Sequence, residues 1–262
     1  MPRPDLPEQD EPVRSATAGD SPAVAAAHGN RLLLLALFTS AILWNVPYGN
    51  YVLYPFKLLA TWLHEGSHGL AMLITGAGFD RMEVYRDTSG LAFAKAGVGT
   101  AGRSLIACAG YVGTALFGAL LLVQGRPVRG SRVVLIAVGA LLVLSVALFV
   151  RNGFGAAALG LLGVTIGLIG WKASESVAGF IVNLFAAQSC INAVLDIRVL
   201  FSSTLLVNGK PTGSSDAHTL SSLLGGPPWL WASLWLALSF AAFYLALRYT
   251  RLRADAPAVT RD

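Results

Sequence analysis

Seven apolar stretches, each close to the length of helix that crosses a bilayer, leave this chain few folds to choose from. They run from about Arg31 to Pro47, Tyr51 to Gly76, Thr100 to Val123, Val133 to Val150, Phe154 to Trp171, Val177 to Phe201 and Pro228 to Tyr249. In hydrocarbon every backbone N–H and C=O must find its partner within the protein, and a helix of about 20 residues does so unaided. The expected fold class is an all-α integral membrane protein, a bundle of about six to seven transmembrane helices. The lower count applies if the short polar break Arg151-Asn152-Gly153 is a kink and not a turn between two helices.

Composition agrees with that reading. Hydrophobic residues make up 55% of the 262 and charged residues only 13%, a balance foreign to a soluble domain of this size. The net charge of +5 does not imply nucleic acid, because the arginines fall in short loops and at helix ends, where membrane-flanking charge accounts for them. Residues 1–30 are rich in Pro, Ala and acids (Asp5, Glu8, Asp10, Glu11, Asp20) without apolar periodicity. They read as a disordered tail. The first apolar run follows this acidic stretch and reads as a retained helix, not a secretory signal. The expected organisation is a tail over 1–30, a polytopic membrane domain over 31–250 and a short C-terminal tail over 251–262. Cys108 and Cys190 lie in apolar segments, where cysteine behaves as a small hydrophobe.

Between the second and third spans, Arg81–Tyr85 and Leu91–Lys95 flank Asp87-Thr88-Ser89-Gly90. This pattern predicts a small β-hairpin. Gly110, Thr114 and Gly118 form a small-residue face on the third span, and Gly163 and Gly167 repeat it on the fifth; both read as helix packing.

The chemistry lies in His64-Glu65-Gly66-Ser67-His68, an HExxH motif inside an apolar helix. Histidines four residues apart share a helix face, so two imidazoles can converge on one metal ion. Glu65, on the adjacent flank, can take a proton from water and return it to a leaving amine. With four histidines in the chain, a chance HExxH is expected in roughly one such sequence in a thousand. Three ionisable groups in an apolar helix are also costly to keep, at about 2.5–3.5 kcal/mol each, without a partner such as a metal.

A catalytic zinc takes three protein ligands and leaves a fourth position open. Asp196 is the first candidate for the third ligand, at the end of an apolar helix on one face with Asn192 and Gln188. Asp216 is the alternative, with an ordinary structural reading as the N-cap of a short helix through Leu224. His218 and Glu175 are weaker options, and His28 falls in the tail.

The chain resembles the site-2-protease type of intramembrane zinc metallopeptidase, in particular its smaller B-type bacterial branch. The resemblance covers roughly Thr61 to Leu236. It rests on Leu63–Leu70 around HExxH, the hairpin with Ser89-Gly90, Ala109-Gly110-Tyr111-Val112-Gly113 with Gly118, the Arg151–Phe154 break, Leu195-Asp196-Ile197, and Ser215-Asp216-Ala217 before Pro228-Trp229. It implies that His64 and His68 bind Zn2+, that Glu65 is the general base, and that an aspartate of a later helix, carried over to Asp196, completes the site. Better-known members have Leu-Asp-Gly at that aspartate, where this chain has Ile197 and Arg198, and no PDZ-like domain is present.

The resulting expectation is a zinc metalloendopeptidase in a bacterial plasma membrane. Its partners would be a membrane-protein substrate and the lipid bilayer, with no nucleic acid. A helical peptide bond is shielded by its own hydrogen bonds, and the hairpin offers a way to hold substrate as an extended strand. The rival reading is a non-catalytic membrane scaffold or regulator that retains a metallopeptidase-like site. An intact Glu65 and the lack of nearby cysteines for a closed four-ligand shell favour the enzyme. A transporter leaves HExxH without a role.

Overall fold

The structure, a computed structural model, describes residues 22–125, 130–195, 206–211 and 214–255. In chain order the elements are α1 (Pro22–Asn45), α2 (Gly49–Ile74), β1 (Phe79–Val84), β2 (Gly90–Ala94), α3 (Thr100–Gly125), α4 (Ser131–Leu148), α5 (Gly153–Lys172), α6 (Glu175–Leu195), β3 (Leu206–Val207), β4 (Lys210–Pro211), α7 (Asp216–Leu224) and α8 (Pro228–Asp255).

Among the described residues, four helices are long and apolar enough to cross a membrane: Thr100–Gln124, Ser131–Leu148, Gly153–Lys172 and Pro228–Thr250. Fewer described helices meet this test than the six to seven spans expected, and one reason is visible near the start of the chain. The first two apolar stretches form a pair bent by 119°, which makes at most a fifth span. The bend falls where Pro47 precedes Tyr48 in the left-handed region (φ 65°), and Gly49 is needed there because a Cβ would collide with the Leu43 carbonyl. In α6, Ala178, Val182, Ala186 and Ala187 are fully buried together with the polar Asn183 and Gln188. That face of the helix packs inside the bundle. Outward positions elsewhere are apolar, with Leu161 71% and Val133 68% exposed, as a lipid-facing surface requires.

The predicted hairpin lies between α2 and α3, β1 pairing antiparallel with β2 from Val84↔Gly90 to Arg81↔Phe93, with an irregularity before Phe79↔Ala94. Its inner edge is closed by the α4–α5 connection. Met82 donates to the Phe149 carbonyl at 2.9 Å and accepts from the Arg151 N–H at 3.2 Å. The Asn152 side chain then acts as a further strand residue: Oδ1 accepts from the Val84 N–H at 3.1 Å and Nδ2 donates to the Val84 carbonyl at 2.6 Å. The break at residues 151–153 is thus a turn between two helices that also anchors the hairpin. Because Met82 and Val84 point their backbone groups at this turn, their partners Ala92 and Gly90 point theirs to the opposite, outer edge. That edge faces α2.

The main core gathers Leu59, Trp62, Met72, Phe79, Met82 and Val84 with residues of α3 to α6, and Trp62 Nε1 donates to Ser145 Oγ at 2.7 Å. A second cluster packs Ala217 and Leu220 of α7 and Ala232 and Trp235 of α8 against Ala107 of α3. This second cluster sets where α7 begins.

Candidate metal centre

The HExxH residues sit in the C-terminal half of α2, facing α3. His68 Nδ1 lies 2.7 Å from the Ile106 carbonyl of α3, an arrangement that places the ring proton on Nδ1 and leaves the Nε2 lone pair for a ligand. The two Nε2 atoms of His64 and His68 are 3.1 Å apart. The rings fit against α3 because residue 110 is glycine: a Cβ there would stand 2.5 Å from His64 Nε2 and 2.6 Å from His68 Nε2. Tyr111, the next residue, meets the His64 ring edge-on at 4.8 Å and stacks on Trp235 of α8 at 5.0 Å. The sequence reading takes Gly110 as part of a packing stripe and names Tyr111 only within the family resemblance, so neither is placed beside the histidines.

Of the candidate third ligands among the described residues, Asp216 is the one brought to the histidines. Its Oδ2 lies 3.2 Å from His64 Nε2 and 3.3 Å from His68 Nε2. Asp216 is not the helix cap expected from sequence. That place belongs to Ser215, whose Oγ accepts from the His218 backbone N–H at 3.5 Å and lies 2.9 Å from His218 Nδ1. Ser215 leaves the Asp216 carboxylate free to turn toward α2, and the packing of Ala217 and Leu220 on α3 holds it there. Burial alone would raise the Asp216 carboxyl, but in the metal-free site His68 and His64, when protonated, outweigh it and hold it well below the usual carboxylate range. Asp196 and the side chain of Asn192 lie outside the described residues. Gln188, expected to share a metal-facing stripe with them, instead accepts from Trp44 Nε1 at 3.3 Å and donates to Ser40 Oγ at 2.9 Å. Glu175 starts α6 and His218 is engaged by Ser215, so neither joins the group.

The donor set fits zinc. Ligand atoms about 2.0–2.1 Å from a tetrahedral zinc are about 3.3 Å from one another, and the three separations here are 3.1, 3.2 and 3.3 Å. Two neutral imidazoles and one carboxylate form the three-ligand set of a site that keeps a position open.

Glu65 is 7% exposed and stands beside this triangle, its carboxylate hydrogen-bonded to the backbone of Ala92. Strand β2 crosses directly over it, since a Cβ on Gly90 would be 2.7 Å from Glu65 Cγ and 2.9 Å from Oε1. Thr61 Oγ1, one turn earlier on α2, donates to the Thr88 carbonyl at 2.5 Å and clamps the hairpin turn. The β3–β4 turn adds a second clamp, Asn208 N–H donating to Ser89 Oγ at 3.1 Å. A cavity of about 540 Å³ opens here, bordered by His64, Glu65, Asp216, the outer edge of β2 and the N-terminal half of α2.

A helical membrane fold with an HExxH helix at a cavity defines a membrane protein of the metallopeptidase type. The Peptidase M50B-like family matches residues 33–246, most of the chain, and the protein belongs to that family. Members of this family are generally zinc-dependent. No curated protein and no solved structure matches the chain. The family and the apolar helices make it a multi-pass membrane protein.

Proposed function

We propose that this protein is an intramembrane zinc metalloendopeptidase of a bacterial plasma membrane, acting on a membrane-protein substrate. The observation that carries the proposal is the mutual approach of His64 Nε2, His68 Nε2 and Asp216 Oδ2 beside a buried glutamate. In this reading His64, His68 and Asp216 hold the metal. Zinc, when bound, supplies Lewis acidity to a carbonyl and to water.

The remaining work falls to the chain's own groups. Glu65 takes a proton from the attacking water on a carboxylate oxygen and delivers it to the amide nitrogen as the C–N bond breaks, so that water is consumed and two chain ends form. The Ala92 hydrogen bond and the close cover of Gly90 hold that carboxylate in place. The outward backbone groups of β2 other than the one bonded to Glu65 can pair with an extended substrate segment, which keeps its peptide bond out of a helix and next to Glu65. The Ile106 carbonyl fixes the His68 tautomer.

Detergent-purified protein should carry about one zinc per chain, lost on replacing His64 or His68 by alanine. Glu65→Gln should keep the zinc and abolish cleavage of membrane-spanning reporter proteins. A glutamine variant as active as wild type would overturn the assignment of the base. A wild-type protein that binds zinc yet leaves every reporter uncut would favour the non-catalytic scaffold.

A further inference from the structure

Two hairpin turns meet tip to tip at the rim of the cavity. In the second, Asn208 and Gly209 both have positive φ (52° and 70°), and Val207 pairs with Lys210 across them. This is the geometry of a two-residue type I′ turn, which closes itself through the residues on either side and leaves the N–H groups of its two central residues pointing outward. Those groups meet the tip of the first hairpin. Asn208 N–H donates to Ser89 Oγ at 3.1 Å, and Gly209 N–H donates to the Asp87 carboxylate. Asp87 and Ser89 are themselves joined, since Ser89 N–H and Oγ both donate to Asp87 Oδ1. Behind the second tip, Leu206 and Val207 border the same cavity as His64, Glu65, Asp216 and β2.

This contact lies in the path of an incoming chain. The outward backbone groups of β2 begin at Gly90, and a strand laid along them that continues past Gly90 reaches Ser89, where Asn208 is seated. A free peptide end can stop short of that point. A peptide bond in the interior of a membrane protein has chain on both sides of it, so one side has to pass the place where the two tips touch. The contact is built to part: the Asn208–Ser89 bond is exposed, and of residues 206–211 only Val207 is buried. Exposed bonds exchange with water at little cost, and segments held by them open far more readily than a core does. We propose that the β3–β4 turn is a strap, latched to Asp87 and Ser89 across the mouth of the cavity, that lifts to admit a substrate segment to β2. The inference adds a control on entry to the proposed protease and rests on that reading.

The test measures entry apart from chemistry. A full chain carrying Glu65→Gln, Ser89→Cys and Asn208→Cys is joined across the two new thiols by a short bis-alkylating linker, and association of a labelled single-span reporter protein is followed in micelles. The linked protein should take up the reporter about tenfold more slowly than the unlinked chain, with zinc content unchanged. Each single-cysteine chain treated with the same reagent, which also controls for reaction at Cys108 and Cys190, should behave as the untreated protein does. The double variant Asp87→Ala/Ser89→Ala, which removes both acceptors of the latch, should admit the reporter about threefold faster. Equal uptake by linked and unlinked chains, the same loss in the single-cysteine controls, an unchanged or slower rate in the double variant, or no uptake by the unlinked chain overturns the strap. Cleavage by the same chains with Glu65 intact reads the protease proposal independently. Linker-sensitive uptake without cleavage in any form removes the protease and leaves the strap standing, whereas undiminished cleavage by the linked chain removes the strap and leaves the protease.

Discussion

The contact between α2 and α3 and the contact between α4 and α5 use one device to opposite ends. In the α4–α5 pair, a Cβ on Gly139 would be 2.5 Å from the Gly163 carbonyl, and one on Gly163 would be 2.9 Å from the Gly139 carbonyl. Backbone meets backbone there, and the space serves packing alone. In the α2–α3 pair the space left by Gly110 is filled by the rings of His64 and His68. A glycine on a helix face announces a close neighbour; the identity of that neighbour decides whether the glycine is structural or part of a reactive centre.

The largest expected effect sharpens the reactive side of this comparison. Asp216→Ala should weaken zinc binding by about 100-fold or more and stop cleavage, while Ser215 still caps α7 and thermal stability changes little. Metal titration and melting curves of this variant beside Asp196→Ala check it: zinc retained in the first and lost in the second would return the third-ligand role to Asp196.

Next comes the glycine pair itself. Gly110→Ala should expel the metal, with zinc affinity down by roughly 10- to 100-fold and the fold kept. Gly139→Ala should cost about 1–3 kcal/mol of stability from overpacking and leave zinc binding alone. Equal zinc loss in both variants, or in neither, would break the distinction. A smaller change is expected for Gly90→Ala, whose Cβ would press on Glu65 and not on the histidines. Its kcat should fall about tenfold with zinc content intact. Loss of zinc along with rate would show that β2 supports the metal site and not the base.

The smallest effect lies outside the site, in the hairpin. The Tyr85 hydroxyl donates to Glu83 Oε2, and this bond, with burial adding to it, pushes the phenol up to about 12 from 10.0. A folded value above the unfolded one means that the stabilisation is fully present below pH 10 and is lost as pH rises through about 12. Tyr85→Phe should therefore lower the melting temperature by about a degree or two at pH 8. The gap to wild type should close as pH approaches 12, and a pH-independent gap would assign the loss to packing instead.

Features legible in the sequence are those encoded over short distances. HExxH fixes a helix face by its own spacing, and alternation around Asp87–Gly90 marks the hairpin from neighbouring residues alone. The approach of Asp216 is different in kind, because it depends on Ala217, Leu220 and Trp235 packing against Ala107, contacts between segments more than a hundred residues apart. Local reading gave Asp216 a capping role because a polar pair precedes the short helix, and the cap is Ser215, one residue earlier. Apolar length likewise does not report the bend at Pro47-Tyr48-Gly49, which joins the first two stretches into one bent pair. Gly110 was visible as a small residue, but what would fill its space was not.

The closure of the hairpin's inner edge by Phe149, Arg151 and Asn152 has a consequence for traffic through the site. A two-stranded ribbon exposed on both sides could recruit a strand on either flank, and in a crowded membrane it could seed sheet growth between neighbouring molecules. With one flank stitched to the α4–α5 turn, the ribbon has a single docking side, and that side faces Glu65. Among the described residues, the flank left for a strand of the proposed substrate is the one beside Glu65.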